Sequence, residues 1–74
     1  MAYPSPAREM VTVQLEQEVT GAQLQLLDPN GKLLAEQRLT GAKGSFDLAG
    51  MSPGAYWIRV VLQGEMLVSQ FSKE

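Results

Sequence analysis

The longest regular alternation of apolar and polar positions runs from Tyr56 to Gln63. Tyr56, Ile58, Val60 and Leu62 fall on one side, and Trp57, Arg59, Val61 and Gln63 on the other. A period of two, carried by β-branched and aromatic residues, predicts a β-strand with one well-buried face. Upstream, Phe46 and Leu48 alternate with Ser45 and Asp47, which predicts a shorter strand. Between the two lies AGMSPGA, where Pro53 has no N–H to give a ladder and Gly50 and Gly54 tolerate positive φ. This strand–connection–strand unit is the nucleus on which the other segments are expected to pack.

The rest of the chain follows the same period. Val11, Val13 and Leu15 alternate with Thr12 and Gln14, predicting a strand over Met10–Leu15, and Glu16-Gln17-Glu18 reads as a solvated connector. After Gly21, Leu24 and Leu26 alternate with Gln23 and Gln25 as a second strand. It ends at Asp28-Pro29-Asn30-Gly31, a hairpin turn in which Asp caps its own backbone, Pro presets φ and Asn-Gly accepts positive φ. Lys32–Thr40 is a third strand whose Leu33, Leu34, Ala35 and Leu39 do not choose one face; a bulge or burial on both sides accounts for that. Gly41-Ala42-Lys43-Gly44 is read as a turn. Beyond Gly64, Glu65–Ser72 returns as the last strand, anchored by Leu67 and Phe71. At the other end, the prolines of Tyr3-Pro4-Ser5-Pro6 hold residues 1–8 extended, as a linker or a short edge strand.

No helix-length period occurs, and glycines at 21, 31, 41, 54 and 64 punctuate the chain at short intervals. The expected fold is all-β: a small immunoglobulin-like antiparallel sandwich over residues 9–74, of Greek-key type. It has six strands, or seven if Tyr3–Pro6 pairs at an edge.

Composition narrows the function. With 74 residues and 45% hydrophobic content, one small domain can form its own core. Cysteine and histidine are both absent, which removes disulfides, thiolate nucleophiles, Cys/His zinc sites and Ser–His dyads. Six basic and eight acidic residues are dispersed, so a nucleic-acid backbone meets no basic stripe. No apolar run approaches the ~18 residues of a membrane span, so no membrane insertion is expected. MAYPSPAREM has neither the basic start nor the apolar stretch of a secretory leader.

Candidate chemistry is thin. Asp28 and Asn30 suggest half a calcium loop, but Leu39 stands where the closing Glu belongs, so the segment reads as a turn. The glycines at 41 and 44 precede a strand, whereas a phosphate loop opens a helix. Glu36 and Arg38 are expected to form a surface ion pair. Tyr56 and Trp57 face opposite ways and cannot form one stacking platform; Tyr56 belongs to the core, and Trp57 is the better partner contact. No enzyme, metal or cofactor is expected.

The ordered motifs resemble the C-terminal sorting domain (type A) of proteins exported by the type IX secretion system of the Bacteroidetes. Tyr3-Pro4-Ser5-Pro6 is similar to the opening Tyr-Pro-Asn-Pro, with serine in the asparagine position. Asp28, Gly31 and Lys32 match the Asp-x-x-Gly-Lys/Arg turn. Asp47, Leu48, Gly54 and Tyr56 match Asp-Leu-Ser-x-Leu-x-x-Gly-x-Tyr, with Met51 in the second leucine position. Gln70-Phe71-Ser72-Lys73-Glu74 stands for the Lys-apolar-apolar-Lys tail, keeping the final lysine but not the first.

The resemblance implies a secretion signal and not an activity. Cargo would fold in the periplasm and present this domain to the outer-membrane translocon and shuttle barrel. A sortase complex would then usually cut before the Tyr3 region and join the cargo to anionic lipopolysaccharide at the cell surface, or the cargo would be released. The strand Glu65–Glu74 is expected to offer a sheet edge to such a partner, with Phe71, Ser72, Lys73, Glu74 and Trp57 as recognition residues. The same edge could also pair two copies of the domain. Two other readings remain open: a retained docking domain of a surface component, and an immunoglobulin-like adhesion or carbohydrate-contact module.

Overall fold

Four long stretches of extended backbone dominate a computed structural model that describes residues 2–74. Met1, the first residue of the expected linker or edge strand, lies outside the described residues. The strands are β1 (Ala2–Tyr3), β2 (Met10–Leu27), β3 (Leu33–Asp47), β4 (Gly54–Leu62) and β5 (Glu65–Lys73). All strand pairs are antiparallel. β3 lies on one side of β2; β4 lies on the other, followed by β5, and β1 pairs with the first part of β2.

The all-β, antiparallel expectation holds, but the described residues form five strands and not six or seven. Two segments expected as connectors lie inside strands. Glu16–Glu18 belongs to β2, and Gly41–Gly44 belongs to β3. Charge and glycine content read there as turns, yet the backbone stays extended and absorbs them as irregularities. Gln14 pairs with Lys43 and Val19 with Gly41, so residues 15–18 of β2 stand opposite Ala42 alone. A second slip falls at Gly21, between Thr20 and Ala22, where φ is +77°. An extra residue on one strand bends it and sharpens its twist. The strand order alone does not establish the expected Greek key.

These bends carry the β2–β3 hairpin from one layer into another. Its first part, Val11 and Val13 with Phe46, packs over Leu24, Leu26, Ile58, Val60 and Phe71 in a single buried cluster. The shortest dimension, 16 Å, suits two stacked backbone layers about 10 Å apart. Where the layers meet, a Cβ on Gly44 would come within 2.6 Å of Leu24 Cδ1 and 3.4 Å of Leu39 Cδ1. Glycine is there because a core leucine fills the space a side chain would need.

Turn chemistry matches the residues that make it. Asp28 Oδ1 accepts from the backbone N–H of Asn30 (2.9 Å) and of Lys32 (2.8 Å), and Gly31 takes φ +86°. Asp47 Oδ1 accepts from Ala49 N–H (2.9 Å), and the following Leu48, fully buried, donates its N–H to Glu9 O (2.8 Å). These bonds fix where β2 hands over to β3 and where β3 ends.

Candidate functional site

β5 follows β4 through a turn at Gln63-Gly64, with Gly64 at φ +76°. Pairing runs unbroken from Leu62 with Glu65 to Gly54 with Lys73, so β5 is held along one side for its whole length. Its other side is divided. At the C-terminal end Ala7 lies in a parallel bridge with Lys73: Ala7 N–H donates to Ser72 O (2.7 Å) and Glu74 N–H donates to Ala7 O (2.8 Å). Ser72 N–H reaches Ser5 Oγ at 3.3 Å, and Arg8 Nε faces Glu74 Oε2 at 3.3 Å. Upstream, from Glu65 to Phe71, no strand among the described residues pairs with that side.

The side chains of the open part are apolar and exposed. Met66 and Val68 are 58% and 57% exposed on the outer face, and Leu67 is 45% exposed on the inner face. Leu67 lines an open groove of about 560 Å³ with Leu15, Val19 and Leu62, flanked by Glu16 and Glu65. The groove lies where β2 crosses between layers, so the bulge at residues 15–18 creates it.

The expected recognition residues are not equivalent. Phe71 is 1% exposed and stacks on Tyr56, with ring centroids 6.0 Å apart. Tyr56 is itself buried and donates its OH to Ser52 O (2.6 Å). Ser72 and Glu74 are exposed and Lys73 is half-buried, its Nζ donating to Glu74 O (2.8 Å). Trp57 is half-buried on the outer face of β4, between Leu27 on β2 and Gln70 on β5, beside Met66 and Val68.

The motif residues serve structure. Asp28, Gly31 and Lys32 close the first turn, and Asp47 and Leu48 close β3. Gly54 opens β4 at φ +150° opposite Lys73. Pro4 and Pro6 are exposed and line a surface depression with Arg8 and Glu74. They place Ala7, fully buried although flanked by polar and proline residues, against the chain end. Its role escaped the sequence reading because a single buried alanine carries no period. Glu36 does not form the expected pair with Arg38; it accepts from Gln25 Nε2 (2.6 Å), whose Oε1 accepts from Arg59 Nε (2.5 Å).

Among the described residues no charged side chain is buried, and no group of three or more acidic side chains gathers as a metal site would. What is assembled is a strand edge, part open and part clasped. The comparison with curated proteins returned no match. The family model for the secretion system C-terminal sorting domain matches residues 1–74, the whole chain. The chain therefore belongs to that family, the sorting signals of type IX secretion cargo, whose members are exported to the outer membrane, the cell surface or the medium.

Proposed function

We propose that the domain is read through β5, by the type IX outer-membrane translocon and its shuttle barrel. The chain end Ser72–Glu74, with Ser72 and Glu74 exposed and Lys73 half-buried, is the feature a receptor pocket engages, and the strand edge beside it supplies backbone hydrogen bonds. The supporting observation is that, among the described residues, no strand pairs with the second side of β5 from Glu65 to Phe71, while Ser72 and Glu74 are exposed. Strand addition draws affinity from main-chain groups and specificity from a few side chains, so one label serves any cargo. Phe71 takes part indirectly, by anchoring β5 in the core. Trp57 borders the same surface from the outer face. A label of this kind makes and breaks no bond; the sortase complex acts on the segment before Tyr3 and attaches the cargo to anionic lipopolysaccharide.

The test is a reporter carrying this chain at its C-terminus, expressed in a bacterium with type IX secretion. The intact fusion reaches the surface. Lys73→Ala/Glu74→Ala, folded by circular dichroism, leaves the reporter in the periplasm. Unchanged export of that variant overturns recognition through the chain end. Mass spectrometry of the surface reporter reads cleavage, since a retained docking domain keeps the Gly54–Arg59 peptide attached.

A further inference from the structure

Residues 2–8 are laid across the domain and fastened at two places. At the first, β1 pairs Ala2 with Val13 and Tyr3 with Thr12 on β2, and it lies against β5 as well. Tyr3 adds an exposed bond from its OH to Gln14 Oε1 (3.1 Å). At the second, Ala7 is fully buried and bonded to the chain end. Pro4 and Pro6, between the two, have no N–H to give. Among the described residues, the hydrogen bonds of residues 4–8 to the rest of the domain all end on Ser72 or Glu74. Ser5 takes part through Oγ, Ala7 through its N–H and C=O, and Arg8 through its side chain. The fold does not require this to hold β5, which Phe71 anchors in the core and β4 pairs along its whole length. What the clasp adds is dependence of one end of the domain on the other. A ladder of two residues is too short to keep a strand in place by itself, so β1 stays on β2 because Ala7 is fastened beyond it.

We infer that residues 2–8 are a strap locked shut by the chain end, and that drawing Ser72–Glu74 away from Ala7 releases the whole strap to a protease. A protease needs its substrate segment free of the fold, and where opening is fast its cutting follows the population of the open form. With the clasp closed, Ala7 has both backbone groups engaged and its methyl in the core, and Tyr3 lies in a ladder. A receptor that holds Ser72–Glu74 removes the bonds to Ser5, Ala7 and Arg8 together, and the segment beside the cleavage region comes free. Cutting then follows engagement, with no rearrangement of the core between the two events. That order of events rests on reading Ser72–Glu74 as the receptor contact; the lock itself does not.

Proteolysis and NMR relaxation of the purified whole chain test the lock with no receptor present. Glu74→Pro removes the N–H that bonds Ala7 O and the Arg8 ion pair, and leaves the β4–β5 ladder in place. Cutting by proteinase K within residues 2–8, read by mass spectrometry, rises about tenfold for the lost bond. The amides of Tyr3, Ser5 and Ala7, ordered in the wild type, lose order together while those of β2–β4 keep theirs. A chain lacking Ser72–Glu74 shows the same change, larger. Unchanged cutting in both variants overturns the inference, as does loss of order confined to Ala7 or cutting that rises equally throughout β2–β4. The chain has no cysteine, so Arg8→Cys/Glu74→Cys closes the clasp covalently in a folded domain. Its oxidised form is cut within residues 2–8 more slowly than its reduced form, and equal rates overturn the lock. Lys73→Ala/Glu74→Ala keeps both backbone bonds and stays protected, so an export defect in that variant reports the receptor contact and not the strap.

Discussion

Ala7 and Lys73 form a parallel bridge, so the segment just inside the sorting domain's beginning and the segment at its end hold each other in place. The bonds are backbone bonds to Ser72 and Glu74, joined by the Arg8–Glu74 ion pair. That ion pair is exposed, and such pairs contribute about 0–1 kcal/mol. The main-chain bonds and the burial of Ala7 therefore carry the clasp. A receptor that draws Ser72–Glu74 into a pocket has to release residues 5–8, the stretch adjoining the proposed cleavage region.

Ala7→Pro removes the N–H that reaches Ser72. The expected cost is about 1–3 kcal/mol, from a lost hydrogen bond and a carbonyl left without its donor. Hydrogen exchange at the Glu74 amide rises while amides in the β2–β4 ladder stay protected. Unchanged exchange at Glu74 contradicts the clasp.

Gly44→Ala places a methyl 2.6 Å from Leu24 Cδ1, inside the core. Overpacking of this kind costs about 1–3 kcal/mol. Leu24→Val in the same chain recovers part of it, so a double-mutant cycle by urea denaturation gives a favourable coupling between the two sites. Additive effects would mean that Leu24 moves aside freely.

Asp28→Ala removes two hydrogen bonds to backbone N–H groups in the β2–β3 turn. Bonds to a charged group contribute more than neutral ones, so the cost is about 1–3 kcal/mol. Asp28→Asn keeps an acceptor and recovers much of this. Thermal denaturation separates the three proteins, and the ranking wild type above Asn above Ala is expected.

Phe71→Ala hollows the core where Phe71 stacks on Tyr56, at about 3–5 kcal/mol, enough to unfold a domain this small. Tyr56→Phe keeps the ring and loses only the bond to Ser52, at about 1 kcal/mol. An export defect in Phe71→Ala therefore reports lost structure, and circular dichroism of that variant shows lost strand signal. A folded Phe71→Ala domain would reopen Phe71 as a direct contact.

The alternation from Tyr56 to Leu62 and the turn at Asp28 are legible because each depends on neighbours in the chain; the alternation of Phe46 and Leu48 carries the expected strand past Asp47, where the strand ends and Asp47 Oδ1 accepts from Ala49 N–H. The sequence by itself determined the all-β class, the inward residues Val11, Val13, Leu24, Leu26, Ile58 and Val60, and the motif order that marks a sorting domain. Local rules misread Glu16–Glu18 and Gly41–Gly44. Acidic and glycine-rich stretches usually turn the chain, but here opposed strands keep them extended and use them to bend the hairpin between layers. The clasp at Ala7, the groove beside Leu67 and the division of the β5 edge were decided only by tertiary structure. Each depends on which distant backbone lies alongside, and a strand's own sequence does not state what its free side will meet.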